Sequence, residues 1–269
     1  MKKLLYLEWL KFSNHRGIKI GLILYTLLFV GGYFAFREIA KVSDNPVVNM
    51  ESLTVFPLIW ELNGYIGNWL AFIILGFIGI QMVSVEFSNK TFRQNVISGL
   101  ERKEFWASKL LSALAIAIGA TLFYILFTAL MGLIYTEFED MLMEENPPLK
   151  ILYFFLMSLG YILTGMFVAF LVRKGTLAIF VYFIYGMFIE NIVRWAAHAK
   201  LIPNNISMHF YPINVLEDLT PLPYFSKLVK MGTTDMQILL TQPQALIGTL
   251  VYMALFIFLM YRIATRKDI

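Results

Sequence analysis

The chain has 269 residues, of which 59% are hydrophobic, 16% aromatic and 15% charged, with 24 Phe and a mean hydropathy of +0.69. A water-soluble domain of this composition would expose large apolar patches, so the composition excludes an ordinary soluble fold and points to lipid as the solvent. The net charge is only +4 and cysteine is absent, which removes disulfides, thiolate chemistry and cysteine-ligated metals and gives no reason to expect a nucleic-acid partner.

In chain order, "MKKLLYLEWLKFSNHRG" opens with charge, and Glu8 and Lys11 interrupt its apolar part; no cleaved signal peptide is expected. Glu8, Lys11 and His15 fall on one helical face, with Trp9 and Phe12 off it. Residues 1–16 therefore read as an amphipathic interfacial helix whose aromatics sit at headgroup level. Six apolar runs follow, each close to the about 20 residues that a transmembrane helix needs: 18–36, 65–85, 110–135, 149–172, 176–193 and 245–263. The expected fold is thus an all-α membrane protein, one six-span domain over 17–269. All nine prolines lie in or beside connections, where a missing N–H does no harm.

Lys and Arg are unevenly placed. Fifteen of the 22 lie on the side shared by both termini, the 86–109 connection and the short link at Arg173 and Lys174. The positive-inside rule makes that side cytoplasmic, with the long 194–244 connection extracellular. That long connection carries "HFYPINVLEDLTPLPYF", which suits a re-entrant element, an interfacial helix or a plain loop equally.

The stretch "SVEFSNKTFRQNVISGLERKEFWASKLL" breaks the apolar pattern between the second and third spans. Thr91 with Gln94, and Ser98 with Glu101, match the capping-box spacing and signal two helix starts. Glu86 and Lys90 stand at i,i+4, a helix-stabilising pair. Arg102, Phe105, Trp106 and Lys109 recur at helical spacing, offering aromatics framed by cations, a face suited to a partner groove. Basic loops also serve simply to fix topology, and that reading stands beside the docking one.

Glu86, then "KTFR" and "SGLERKEF" with a following Lys109, resembles the cytoplasmic loop of exporter permeases of the ABC-2 type, and the resemblance extends to the whole pattern of six spans with both ends inside. It implies a coupling helix that inserts into a cytoplasmic ABC ATPase subunit, and it carries this role onto Glu86, Thr91, Arg93, Ser98, Glu101, Arg102, Phe105 and Lys109. Glu101 departs from the pattern, since a small polar residue is frequent there. The resemblance further implies two ATPase copies bearing ATP and Mg, and a second permease, either another copy or a relative.

The chain itself has no GxxxxGK[ST] phosphate loop, no HExxH, and three scattered histidines, so no catalytic or metal-binding residue and no cofactor of its own is expected. Ala113 with Ala117, Ala115 with Gly119, and the glycines Gly76 and Gly79 suit close helix approach. Glu190 and Arg194, at i,i+4 in the fifth span, read as a mutual pair near the outer surface. The function expected is the permease subunit of an ATP-driven exporter for an amphipathic or lipid-like cargo. A channel or secondary transporter independent of ATP is the alternative, and the near absence of ionisable or broken midplane segments counts against it.

Overall fold

A computed structural model describes residues 15–42, 49–89, 91, 94, 97, 99, 101–137, 147–202, 206–223 and 239–265, and the structural statements below concern these. They form helices and turns, with no strand among them. Six helices are long and apolar enough to cross a membrane: α1 (Arg16–Val42), α2 (Ile59–Ser88), α3 (Arg102–Tyr135), α4 (Pro147–Val172), α5 (Gly175–His198) and, after a short α6 (Pro212–Glu217), α7 (Gln242–Thr265). Lipid offers the backbone no hydrogen-bond partner, so apolar segments of this length fold as helices that satisfy their own N–H and C=O groups.

Several helices extend past the apolar runs because their charged ends are partnered. α2 begins at Ile59 rather than 65: Glu61 is paired with Lys150 on α4, and Asn63 Nδ2 donates to Thr128 Oγ1 on α3 at 3.0 Å. α3 begins at Arg102 because Glu101 and Glu104 close a reciprocal capping box, with Glu101 N donating to Glu104 Oε2 at 3.2 Å. His15 caps α1 through Nδ1, which accepts from Ile18 N at 3.3 Å. The proposed interfacial helix, with Glu8, Trp9, Lys11 and Phe12, lies outside the described residues.

α2 and α4 form the enclosed centre, while α1, α5 and α7 are mostly open to the surroundings. Glycines let the central pair approach closely: a Cβ on Gly79 would strike the Ile162 carbonyl oxygen, and one on Gly165 the Gly76 carbonyl oxygen. Aromatics fill the remaining space, with Tyr124 stacked on Phe154 at 4.0 Å and Phe29 edge-on to Phe123, Phe127 and Phe154. The small residues of α3 divide between faces. Ala113 and Ala117 are buried against the bundle, whereas Ala115 and Gly119 face outward and do not mediate packing within the chain.

The alternation of helices gives the bundle two faces. The terminal face carries Arg16, Ser88, Arg102, Val172, Gly175 and Thr265, and the distal face carries the opposite helix ends. At the distal face Tyr33 OH donates to Thr54 O, Phe56 N donates to Thr136 Oγ1, and the Arg37 guanidinium sits 3.4 Å over the Tyr135 ring.

Candidate functional site

The residues of the 86–109 connection meet at the terminal face. Lys109 Nζ on α3 lies 2.8 Å from Glu86 Oε1 on α2, with both side chains at most 5% exposed. The second carboxylate oxygen accepts from Thr91 Oγ1 at 2.8 Å, and Thr91 also donates to Glu86 O at 3.2 Å. Phe105 is 1% exposed and meets Phe170 of α4 edge-on at 6.5 Å, and Phe87 of α2 meets the same ring at 5.9 Å. Trp106 packs on Tyr261 of α7 at 5.2 Å. The end of α2 and the start of α3 are thereby fastened to each other, to α4 and to α7.

This geometry corrects the reading of one outward face. Phe105, Trp106 and Lys109 point into the bundle; on the same two turns Glu101, Lys103 and Glu104 are exposed and Arg102 is half-buried. The period that places residues on one helical side cannot say which neighbour that side meets, and here α2, α4 and α7 occupy it. The Thr91 hydroxyl donates to Glu86, and among the described residues the carboxylate's cation is Lys109, 23 positions away. Ser98, Arg93 and Lys90 lie outside the described residues. Gly99 has a φ of 96°, a left-handed conformation that glycine adopts without the Cβ penalty, and it marks the turn expected beside Ser98.

A second polar assembly lies at the distal side. The long connection folds inward: Ile206–His209 forms one 3-10 turn, and α6 starts with Pro212 at its first position and packs against α4 and α7. Leu216 reaches Gly160, about 20 Å along α4 from its start at 1.5 Å per residue, so α6 is re-entrant. Asn68 of α2 holds it there. Its Nδ2 donates to Glu217 O at 2.9 Å and Thr220 Oγ1 at 2.8 Å, and its Oδ1 accepts from Tyr161 OH of α4 at 2.8 Å.

Glu190 and Arg194 belong to this assembly, but they do not pair with each other as the i,i+4 spacing suggests. The Glu190 carboxylate accepts from Ile213 N at 3.1 Å and Asn214 N at 2.7 Å, two donors left unpaired at the start of α6. Arg194 donates to Met208 O through Nε and contacts His209 Nδ1 through NH2, each at 3.1 Å. A helix pairing i with i+4 leaves backbone groups of the incoming segment unsatisfied, and these draw both side chains away. The returning chain before α7 is clipped by Asp218, which accepts from Leu240 N at 2.9 Å and Asn214 Nδ2 at 3.1 Å. Burial pushes the Asp218 carboxyl up to about 7 and also raises Glu217.

Asn68, Tyr161, Asn214, Glu217 and Asp218 escaped the sequence reading. The signal present was the pair Glu217 and Asp218 set between Leu216 and Leu219 after a helix-starting Pro212, charge inside an apolar turn.

Two long turns with π geometry occur in α5, at Tyr185–Ile189 and Val193–His198, and one in α2 at Ala71–Leu75. Side chains satisfy the loosened carbonyls: Tyr182 OH donates to Phe72 O at 2.9 Å, and Asn191 Nδ2 donates to Met187 O at 3.2 Å. The described residues hold no cluster of three or more His, Cys, Asp or Glu that could bind a metal ion.

No curated protein matches the chain. Residues 40–266 match the family described as ABC-2 family transporter protein, which covers five of the six spans, the 86–109 connection and the re-entrant segment. The chain therefore belongs to the ABC-2 family and is a multi-pass membrane permease subunit of an ABC transporter, a transport subunit rather than an enzyme.

Proposed function

We propose that this permease is the membrane half of an ATP-driven exporter, paired with a second copy or a related permease and coupled to two ATPase subunits that carry ATP and Mg. In this reading the terminal face is cytoplasmic, the distal face is extracellular, and an amphipathic or lipid-like cargo moves outward. One observation supports the coupling role above others: the buried pair of Glu86 and Lys109 ties the end of α2 to the start of α3 at the base of the 86–109 connection. A displacement imposed on that connection cannot be absorbed locally without separating a buried ion pair, so it is passed to α2, α3 and, through Phe105, α4. Lys103, Glu104 and Arg102 offer the docking contacts, and Glu86, Phe105 and Lys109 transmit the movement. A stable interface buries upward of about 1,000 Å², so residues 1–16 supply further contact area.

The test is purification of the full chain in mild detergent from its native cell, with quantitative mass spectrometry of what stays bound. An ATPase subunit is expected in equal amount, and it is lost from an R102E/K103E double variant that remains monodisperse. A wild-type chain that brings down no ATPase would refute coupling and leave an ATP-independent channel or secondary transporter as the reading to pursue.

A further inference from the structure

A cavity of about 100 Å³ lies where α6 meets α2, α4 and α5, lined among others by Asn68, Trp69, Phe72, Tyr161, Asn191 and Glu217. A cavity of roughly 150 Å³ takes a benzene ring, so this one admits a headgroup rather than a whole amphipathic molecule. Its walls have an uneven hydrogen-bonding character. The inner donors are committed inside the protein: Asn68 Nδ2 to Glu217 O and Thr220, Tyr161 OH to Asn68 Oδ1, and Asn191 Nδ2 to the Gly186 and Met187 carbonyls, which leaves the Trp69 indole N–H at the mouth. Deeper in, what remains is acceptor. The Glu217 carboxylate takes no hydrogen bond among the described residues, and Asn191 keeps its carbonyl oxygen.

The apolar walls are aromatic faces. Phe72 and Tyr161 meet at 5.7 Å with planes inclined by 65°, making a corner of two rings, and Trp69, 46% exposed, stands at the mouth. Aromatic faces attract cations, and a corner of rings closed by a carboxylate is the chemistry that recognises ammonium groups. The nearby guanidinium of Arg194 is held by Met208 O and His209.

We infer that this cavity binds an organic ammonium group, quaternary or protonated, as the headgroup of the transported molecule. The inference rests on the permease reading above and narrows its cargo to cationic amphiphiles. The re-entrant helix brings the Glu217 backbone carbonyl to Asn68 and sets its half-buried side chain in the cavity lining, where an ionisable group is costly unless it meets a partner. The cargo headgroup supplies that partner.

The test uses the full chain in a maltoside detergent free of amine lipids, titrated by calorimetry with choline and with 3,3-dimethylbutan-1-ol, its neutral isostere. Choline is expected to bind at least about tenfold more tightly than the alcohol, a difference of about 1.4 kcal/mol. Glu217→Gln should remove that preference, and Trp69→Leu, at an exposed position that leaves the fold undisturbed, should weaken choline several-fold. Equal affinity for choline and the alcohol, no choline binding, or choline affinity unchanged in both variants would overturn the inference. Repeating the titration in bilayers with and without choline lipids separates the sources: competition by the lipid assigns the site to a lipid headgroup, and its absence to a free cargo. No ATPase enters this assay, so its failure leaves the coupling reading standing, and failed co-purification leaves the binding result standing.

Discussion

Replacing Lys109 by Met strips the buried Glu86 carboxylate of a cation 2.8 Å away, in a place where both side chains are at most 5% exposed. Removing one partner of a buried pair costs about 3–5 kcal/mol, because the remaining charge has lost its compensation, whereas replacing both with neutral groups of similar volume is often near neutral. Lys109→Met and Glu86→Gln alone should therefore each be severe, and the E86Q/K109M double variant should recover most of the loss, its cost falling well below the sum of the two singles. Thermal midpoints in detergent give the stability cycle, at about 2–4 °C per kcal/mol for a chain of this size. Cargo-stimulated ATPase activity in proteoliposomes, with the ATPase subunit present, gives the functional cycle. The two should part company: the double variant regains the thermal midpoint but transmits less, since the charge-assisted link between α2 and α3 is gone. A double variant whose destabilisation equals the sum of the singles would refute the buried pair, and one with both full stability and full coupling would refute its role in transmission.

Two further outcomes follow from the packing and the charges. Gly79→Ala and Gly165→Ala should each destabilise by about 1–3 kcal/mol, because the new methyl meets a backbone carbonyl of the opposing helix, while Gly31→Ala, with nothing within 4 Å, should be neutral or gain up to about 1 kcal/mol from helix propensity. Thermal melts of the three variants check this. Asp218 has a folded pKa raised to about 7 from 3.8, so its contribution favours the folded state below 3.8 and is lost as pH rises through 7. Between pH 5.5 and 8 the chain should lose on the order of 2 kcal/mol that Asp218→Asn does not lose, and equal pH slopes in the two proteins would refute the assignment.

The spans were legible because lipid imposes one rule on every backbone group, and a charge-free run of the right length satisfies it in only one way. The ends were less so. Glu61 stopped the reading of α2 at residue 65, yet Lys150 neutralises it from a helix 89 positions away, and no local pattern carries that information. The residues of the 86–109 connection show the same limit. Helical spacing put Phe105 and Lys109 on one side correctly and named them as important, but that side faces α2 and α4 instead of a partner, since periodicity fixes a face and tertiary packing chooses its neighbour. Glu190 and Arg194 were found as the charged pair of the fifth span, and their true partners belong to a connection whose inward fold depends on Asn68, more than 140 positions from Glu217.

These long-range contacts also join the two polar assemblies mechanically. α2 bears Glu86 at one end and Asn68 toward the other, and between them Gly76 and Gly79 meet Gly165 and Ile162 of α4 backbone to backbone. Such contacts have no flexible side chain to yield, so α2 and α4 must move as one body. Tyr161 sits midway along α4 beside the cavity and Phe170 sits near the end of the same helix beside Phe105, so α4 repeats both attachments made by α2. A tilt imposed at the Glu86 end therefore reaches Gly76 directly and Asn68 through the π turn at Ala71–Leu75. There the hydrogen bonds from Asn68 to Glu217 and Thr220 either carry the re-entrant helix along or break, and in both cases the walls around Glu217 change. The π turn at Tyr185–Ile189 lines the cavity through Gly186 and Met187, and the one at Ala71–Leu75 lies within α2 and lines it through Phe72, so α5 and the distal part of α2 are where its walls can alter shape.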